Sequence, residues 1–161
     1  MSIVVKSPHE YSDAEFSAFE KLVIDAGEVQ AEGFSDLLMR SHRLISLYVE
    51  GELVATGAIK NPRKTYKEKV FNKAKVSELS SQYTFEAGWI VVEEKHRRKG
   101  YSTQIVKTIV QELNGEHCFA TVRVNNEGMN YIFSSQSFNK LGFDYESVNG
   151  DYSLGLLGLS S

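Results

Sequence analysis

The stretch from Tyr83 to Leu113 constrains the fold more than any other part of the chain. Tyr83-Thr-Phe-Glu-Ala-Gly-Trp-Ile-Val-Val92 has a strand pattern in which Tyr83, Phe85, Ala87, Trp89 and Val91 form one continuous apolar face. Glu86 falls on the other face with Thr84, Gly88, Ile90 and Val92. Thr103–Leu113 is an amphipathic helix: Ile105, Val106, Ile109, Val110 and Leu113 share one side, with Lys107, Thr108, Gln111 and Glu112 opposite. Only a short basic loop joins the two. A buried strand feeding straight into such a helix belongs to a layered α/β domain.

The remaining segments extend that architecture. Ile3-Val4-Val5 reads as a short strand closed by Ser7-Pro8. Ser12-x-x-Glu15 is a capping box that opens a helix with Phe16, Phe19, Leu22, Val23 and Ala26, ended by Gly27. A weakly marked helix carries Phe34, Leu37 and Leu38. Leu44–Val49, Glu50-Gly51 and Leu53–Ile59 form the clearest hairpin. Residues 61–80 are a basic, polar connector with some helical pattern around Tyr66, Val70 and Phe71. His117–Val124 reads as a strand and Met129–Leu141 as a helix with Gly142 as its C-cap. Phe143–Val148 and Tyr152–Leu157 read as a final strand pair. The order predicts an α/β fold with a mixed sheet over residues 1–161 as a single domain, the usual expectation for 161 residues.

Composition excludes several classes. The single cysteine, Cys118, rules out an internal disulfide framework and a cysteine-based zinc cage, and reads as a small core residue. His96 and His117 are not spaced as a metal pair, so no metal site is expected. No apolar run approaches the ~20 residues of a membrane helix, and the N-terminus lacks a signal-peptide layout. We expect a cytoplasmic location and no membrane partner. Residues 60–107 hold 12 of the 18 Lys/Arg with five acids, whereas the remainder has six basic and sixteen acidic residues. A pI near 5.8 argues against nucleic acid as a partner. The asymmetry suits a compact anionic ligand at the basic stretch and tolerates a cationic one elsewhere; solvated lysines on an exposed helix explain residues 60–75 equally well.

The loop between strand and helix has the chemistry of an anion site. The first turn of a helix offers unpaired N–H groups at the positive end of its dipole. Gly100 lets backbone approach a ligand, Arg97, Arg98 and Lys99 add charge, and Ser102 and Thr103 add hydroxyl donors. Neither the P-loop spacing nor a Rossmann fingerprint is present, which disfavours a nucleotide-binding regulatory domain.

Arg97-x-x-Gly100-x-Ser102 resembles the Gln/Arg-x-x-Gly-x-Gly/Ala signature of the GNAT superfamily of acyl-CoA N-acyltransferases. Glu86–Val92 resembles the strand that leads into that signature. Asn126-x-x-Met129 through Lys140-Leu-Gly-Phe143 resembles the family's second conserved region. The Tyr152–Leu157 strand and the basic connector resemble a bacterial branch with no particular substrate implied. The resemblance implies a mostly antiparallel central sheet flanked by helices. It implies acetyl-CoA as cosubstrate, with its pyrophosphate on Arg97, Arg98, Lys99, Gly100, Tyr101, Ser102 and Thr103. The pantetheine arm would run beside Ile90, Val91 and Val92, and Asn126 would hydrogen-bond pantetheine or substrate. The Ile90 N–H would polarise the thioester carbonyl. Ser102 departs from the family's Gly/Ala.

The resemblance further implies an amine acceptor, small molecule or lysine side chain, attacking directly in a ternary complex. An ammonium must first lose a proton. The spacing of Glu86 to Arg97 matches the general-base glutamate of some members. Glu86 could equally bind the amine electrostatically or pair with a basic side chain. Four residues at about 3.3 Å put it roughly 13 Å along the strand from Ile90, which calls for water or a bulge. Where many members carry a tyrosine that protonates the thiolate, Phe138 stands here. Tyr131 or Ser134 could substitute, or the thiolate could leave unaided, a thiol pKa near 8.5 making it a tolerable leaving group. The missing tyrosine motivates an alternative, a catalytically reduced CoA-binding regulatory module. The oligomeric state is not legible.

Overall fold

The computed structural model describes residues 1–160. In chain order the elements are β1 (Ser2–Lys6), α1 (Asp13–Asp25), α2 (Phe34–Met39), β2 (Arg43–Val49), β3 (Glu52–Lys60) and α3 (Lys64–Lys73). They continue with β4 (Phe85–Val92), α4 (Tyr101–Leu113), β5 (Cys118–Arg123), α5 (Glu127–Ser135), β6 (Asn139–Glu146) and β7 (Ser153–Leu159). The seven strands form one sheet in the order β1-β2-β3-β4-β5-β7-β6. The β1/β2, β2/β3, β5/β7 and β6/β7 ladders are antiparallel and β4/β5 is parallel. The chain divides into two compact units: Met1–Lys60 with Gly88–Ile109, and Asn61–Ala87 with Val110 onward.

In the first unit local rules build the elements as the sequence predicts. Ser12 caps α1 by accepting from Glu15 N at 3.1 Å, while the Glu15 carboxylate accepts from Ser12 N at 2.9 Å. Glu50 and Gly51 both take positive φ, 51° and 79°, the primed turn that matches strand twist in a two-residue hairpin. Phe19 and Val23 of α1 and Phe34 and Leu38 of α2 bury against Leu44 and Ala58, joined by Trp89 and Val91.

Strand β4 departs from simple alternation at Trp89, whose φ of 48° is a left-handed conformation inside a strand. For a residue with a bulky Cβ substituent this costs about 1–3 kcal/mol. Three contacts offset it. The freed Trp89 carbonyl accepts from the buried Thr56 hydroxyl at 2.8 Å. The Trp89 ring meets Phe34 edge-on at 5.1 Å, and the Lys60 ammonium lies 4.3 Å from its centroid. Each aromatic contact contributes on the order of 1 kcal/mol, so together with the hydrogen bond they outweigh the strain. Thr56→Val keeps shape but leaves that carbonyl unpaired. We expect it to destabilise the fold by about 1–3 kcal/mol, read as a lowered denaturant midpoint at constant slope.

In the second unit the basic connector is more structured than its polarity suggests. Val70, Phe71 and Ala74 of α3 bury against Tyr83, Phe119 and Leu156. The predicted helix Met129–Leu141 is corrected: α5 spans Glu127–Ser135 and β6 starts at Asn139. The run Ser134-Ser135-Gln136-Ser137 sustains a helix poorly. Ser137 turns left-handed, at φ 71°, and Phe138 folds back so that its N–H reaches Phe133 O at 3.1 Å. Gly142 is therefore not a helix cap but a left-handed residue (φ 64°) within β6, where a Cβ would collide with Ala74 O. The strand expected at Phe143–Val148 accordingly begins four residues earlier.

Candidate active site

The turn between β4 and α4 lies wholly within the first unit. Arg98 and Gly100 are both left-handed, with φ of 63° and 80°, so the backbone reverses sharply just before Tyr101 opens α4. Gln104 N donates to Gly100 O at 3.1 Å, placing Gly100 at the cap. The amides of Tyr101, Ser102 and Thr103 therefore belong to the first turn, where no carbonyl four residues back is available within the helix. No heavy atom stands within 4 Å of where a Gly100 Cβ would lie. Arg97, Arg98, Lys99 and Gly100 are all exposed. Converging amides, a helix dipole and three cations beside an open backbone fit a diphosphate. One detail is invisible in sequence: Arg97 Nε donates to Val92 O at 3.2 Å, which ties the loop to the strand end.

A cavity of about 570 Å³ opens beside this turn, bordered by Leu22 and Asp25 of α1, by Val91 and Val92, and by Glu94 and Arg97. Ile90, Val91 and Val92 are half-buried, and of the eight residues of β4 only Phe85 and Glu86 pair with β5, opposite Cys118 and Phe119.

The same unit gathers Glu52, Glu93 and His96, whose ligand-type atoms lie within 4.8 Å of one another. Sequence spacing does not reveal this cluster, because β3 and the loop after β4 meet only in the fold. Lys95 Nζ stands 3.3 Å from Glu52 and 3.4 Å from Glu93, so one ammonium bridges the two carboxylates and offsets part of their charge.

Glu86 belongs to the second unit and is 3% exposed. The strand pattern put it opposite the core face; the structure covers that side as well. The side chain that finds it is Tyr66 of α3, whose hydroxyl donates to Glu86 Oε2 at 2.8 Å. Burial and the Glu86 charge hold the Tyr66 phenol well above its ordinary range. Burial, then the same charge, push Tyr145 up to about 12 and raise the Cys118 thiol. Cys118 is a closed core residue rather than a nucleophile.

These buried hydroxyls predict alkaline lability. Burial pushes Tyr145, and Tyr11 bonded to Ser46, up to about 12 from the ordinary phenol value of 10.0. Between those values the unfolded chain has lost protons that the folded chain keeps, so stability falls as pH rises. We expect the denaturant midpoint to hold up to about pH 9 and to drop progressively towards pH 12.

The other sequence candidates are placed as follows. Asn126 caps α5, its side chain accepting from Met129 N at 3.1 Å. Tyr131 stands on α5 with 75% of its surface exposed. Phe138 is buried against Phe133, its ring 4.8 Å away. Apart from these candidates, the Arg123 guanidinium stacks 3.8 Å from the Tyr152 ring.

The family model described as "Acetyltransferase (GNAT) family" matches residues 8–143. Among solved structures, an acyl-CoA N-acyltransferase from Pseudomonas aeruginosa superposes with a TM-score of 0.72 at 11% identity, covering 98% of this chain and 97% of that one. The ribosomal-protein-S18-alanine N-acetyltransferase from Escherichia coli gives 0.69 at 14% identity, covering 99% and 94%. The Salmonella typhimurium protein yncA, solved with its cofactor acetyl-CoA, gives 0.71 at 12% identity, covering 99% and 94%. At these identities the likeness is one of fold. No curated protein matches the chain in sequence. Among the described residues no helix is long and apolar enough to cross a membrane.

Proposed function

The chain belongs to the acetyltransferase (GNAT) family, and from that premise we propose that it transfers an acetyl group from acetyl-CoA to a primary amine by direct attack in a ternary complex. The observation that carries this reading is the left-handed Arg98 and Gly100 pair opening α4 amid three exposed cations. We assign the diphosphate of the cosubstrate to the amides and side chains of Arg97, Arg98, Lys99, Gly100, Tyr101, Ser102 and Thr103. The Ile90, Val91 and Val92 backbone, beyond the last β4 residue paired with β5, is assigned to the pantetheine arm. Asn126 is a further contact to that arm or to the acceptor. When bound, the cosubstrate supplies an acetyl group activated as a thioester.

The chain's own residues then do three things. The N–H of Ile90 is the donor we assign to the acetyl oxygen. Glu86 takes the proton that the ammonium must lose. Tyr131 is the candidate proton donor for the departing thiol, a role Phe138 cannot fill. The positive φ at Trp89 interrupts the extended backbone between Glu86 and Ile90. The acceptor class we assign is a cationic amine, small molecule or lysine side chain, because acids dominate outside residues 60–107.

Calorimetric titration with CoA and acetyl-CoA, then thiol release across a panel of polyamines, lysine peptides and neutral amines, tests this reading. We expect binding heat with both coenzymes and fastest release with cationic amines. Binding without release for any amine would favour a CoA-responsive regulatory module, and no heat at all would end the assignment.

A further inference from the structure

His96 sits in the loop after β4 with both ring nitrogens buried and neither of them hydrogen-bonded. Among the described residues no other buried side-chain nitrogen or oxygen lacks a partner. The exposure that remains to this half-buried residue belongs to its other atoms. Each imidazole nitrogen carries a proton or a lone pair, so leaving both unpaired away from water calls for a physical reason. That reason lies beside the ring. A ring nitrogen of His96 and one carboxylate oxygen each from Glu52 and Glu93 lie within 4.8 Å of one another. Backbone bonds hold two of these three residues in place: Glu93 N donates to Val54 O and His96 N to Glu93 O, both at 2.8 Å. Glu52, at the start of β3, is exposed, so its carboxylate can adjust. A cation already bridges the carboxylates, but the Lys95 ammonium brings one positive charge to two negative ones and leaves the imidazole unpaired.

We propose that Glu52, Glu93 and His96 form a site for one divalent transition-metal ion of the Zn²⁺ class, with Lys95 as the cation it displaces. Two carboxylates and a neutral imidazole balance the charge of a dication and pair the orphaned ring nitrogen. Such ions lie about 2.0–2.2 Å from nitrogen and oxygen donors, so the three atoms close in by on the order of 1 Å. The imidazole selects against Ca²⁺ and Mg²⁺, which take oxygen donors. Three protein donors leave one coordination position to water. Glu52 and Glu93 also border the cavity beside Arg97, which gives the ion a route in. Bound there, the ion ties the start of β3 to the loop that enters the 97–103 turn. No step of acyl transfer passes through it, so the inference stands apart from the roles given to Glu86 and to the cosubstrate.

Calorimetric titration of the chelator-stripped full chain with Zn²⁺, repeated with Ca²⁺, tests the site. We expect one equivalent of Zn²⁺ to bind and to raise the melting temperature. Affinity should be at least about tenfold weaker in Glu93→Gln and in His96→Ala. A melt without metal confirms that each variant folds. His96→Ala is the decisive variant, since a patch of acids that merely attracts cations has no need of the ring. Lys95→Met removes the competing ammonium and should tighten Zn²⁺ severalfold. Absence of Zn²⁺ binding, equal affinity in the unaltered protein and His96→Ala, or Ca²⁺ bound as tightly as Zn²⁺ each overturns the proposal.

Discussion

Glu86→Gln is expected to lower kcat by about 10²–10⁴-fold while leaving acetyl-CoA affinity within about twofold, the range typical of losing a general base. The amide is nearly isosteric and can accept from the Tyr66 hydroxyl, so the buried bond at 2.8 Å is retained in kind. What is lost is the ability to hold a proton at that place. Cofactor affinity should be spared because the turn to which we assign the diphosphate lies at residues 97–103, eleven or more positions further along the chain. The deficit should shrink as pH rises, since a growing fraction of the acceptor amine then arrives already deprotonated. Initial rates of thiol release from pH 6 to 10 measure this. A constant deficit across that range would show that Glu86 orients the acceptor instead of taking its proton.

Gly100→Glu should weaken CoA binding by more than about a hundredfold in calorimetry. Two costs add. A side chain at φ 80° is strained by about 1–3 kcal/mol. A carboxylate is also placed beside the amides assigned to a diphosphate, replacing attraction by repulsion. Because no heavy atom lies within 4 Å of the new Cβ, the substitution meets no steric obstacle in the fold. The melting temperature of the free protein should therefore fall by only a few degrees. Gly100→Ala separates the two costs, since it adds strain without charge and should lie between. Unaltered CoA binding in Gly100→Glu would remove the basis for placing the cosubstrate at this turn.

Local chemistry was legible residue by residue. The Ser12/Glu15 capping box, the Glu50-Gly51 hairpin turn and the strand–loop–helix around Gly100 all act through neighbours within a few positions. Their patterns can be read without knowing what packs above them. The reading failed where a local pattern was ambiguous. Apolar residues from Met129 to Leu141 satisfied a helical spacing, yet a run of small polar residues ended α5 at Ser135 and Phe138 turned back onto Phe133.

What the sequence determined by itself is the strand–turn–helix to which we assign the diphosphate, because a glycine, three cations and a helix start stand on contiguous residues. What only the tertiary structure decided is the environment of Glu86. Alternation along β4 cannot report that α3, 20 residues earlier, brings the Tyr66 hydroxyl to the carboxylate, nor that Thr56 donates to the Trp89 carbonyl from 33 residues away. Those contacts exist because distant segments bury apolar surface together, and burial then sets which protons the site can hold.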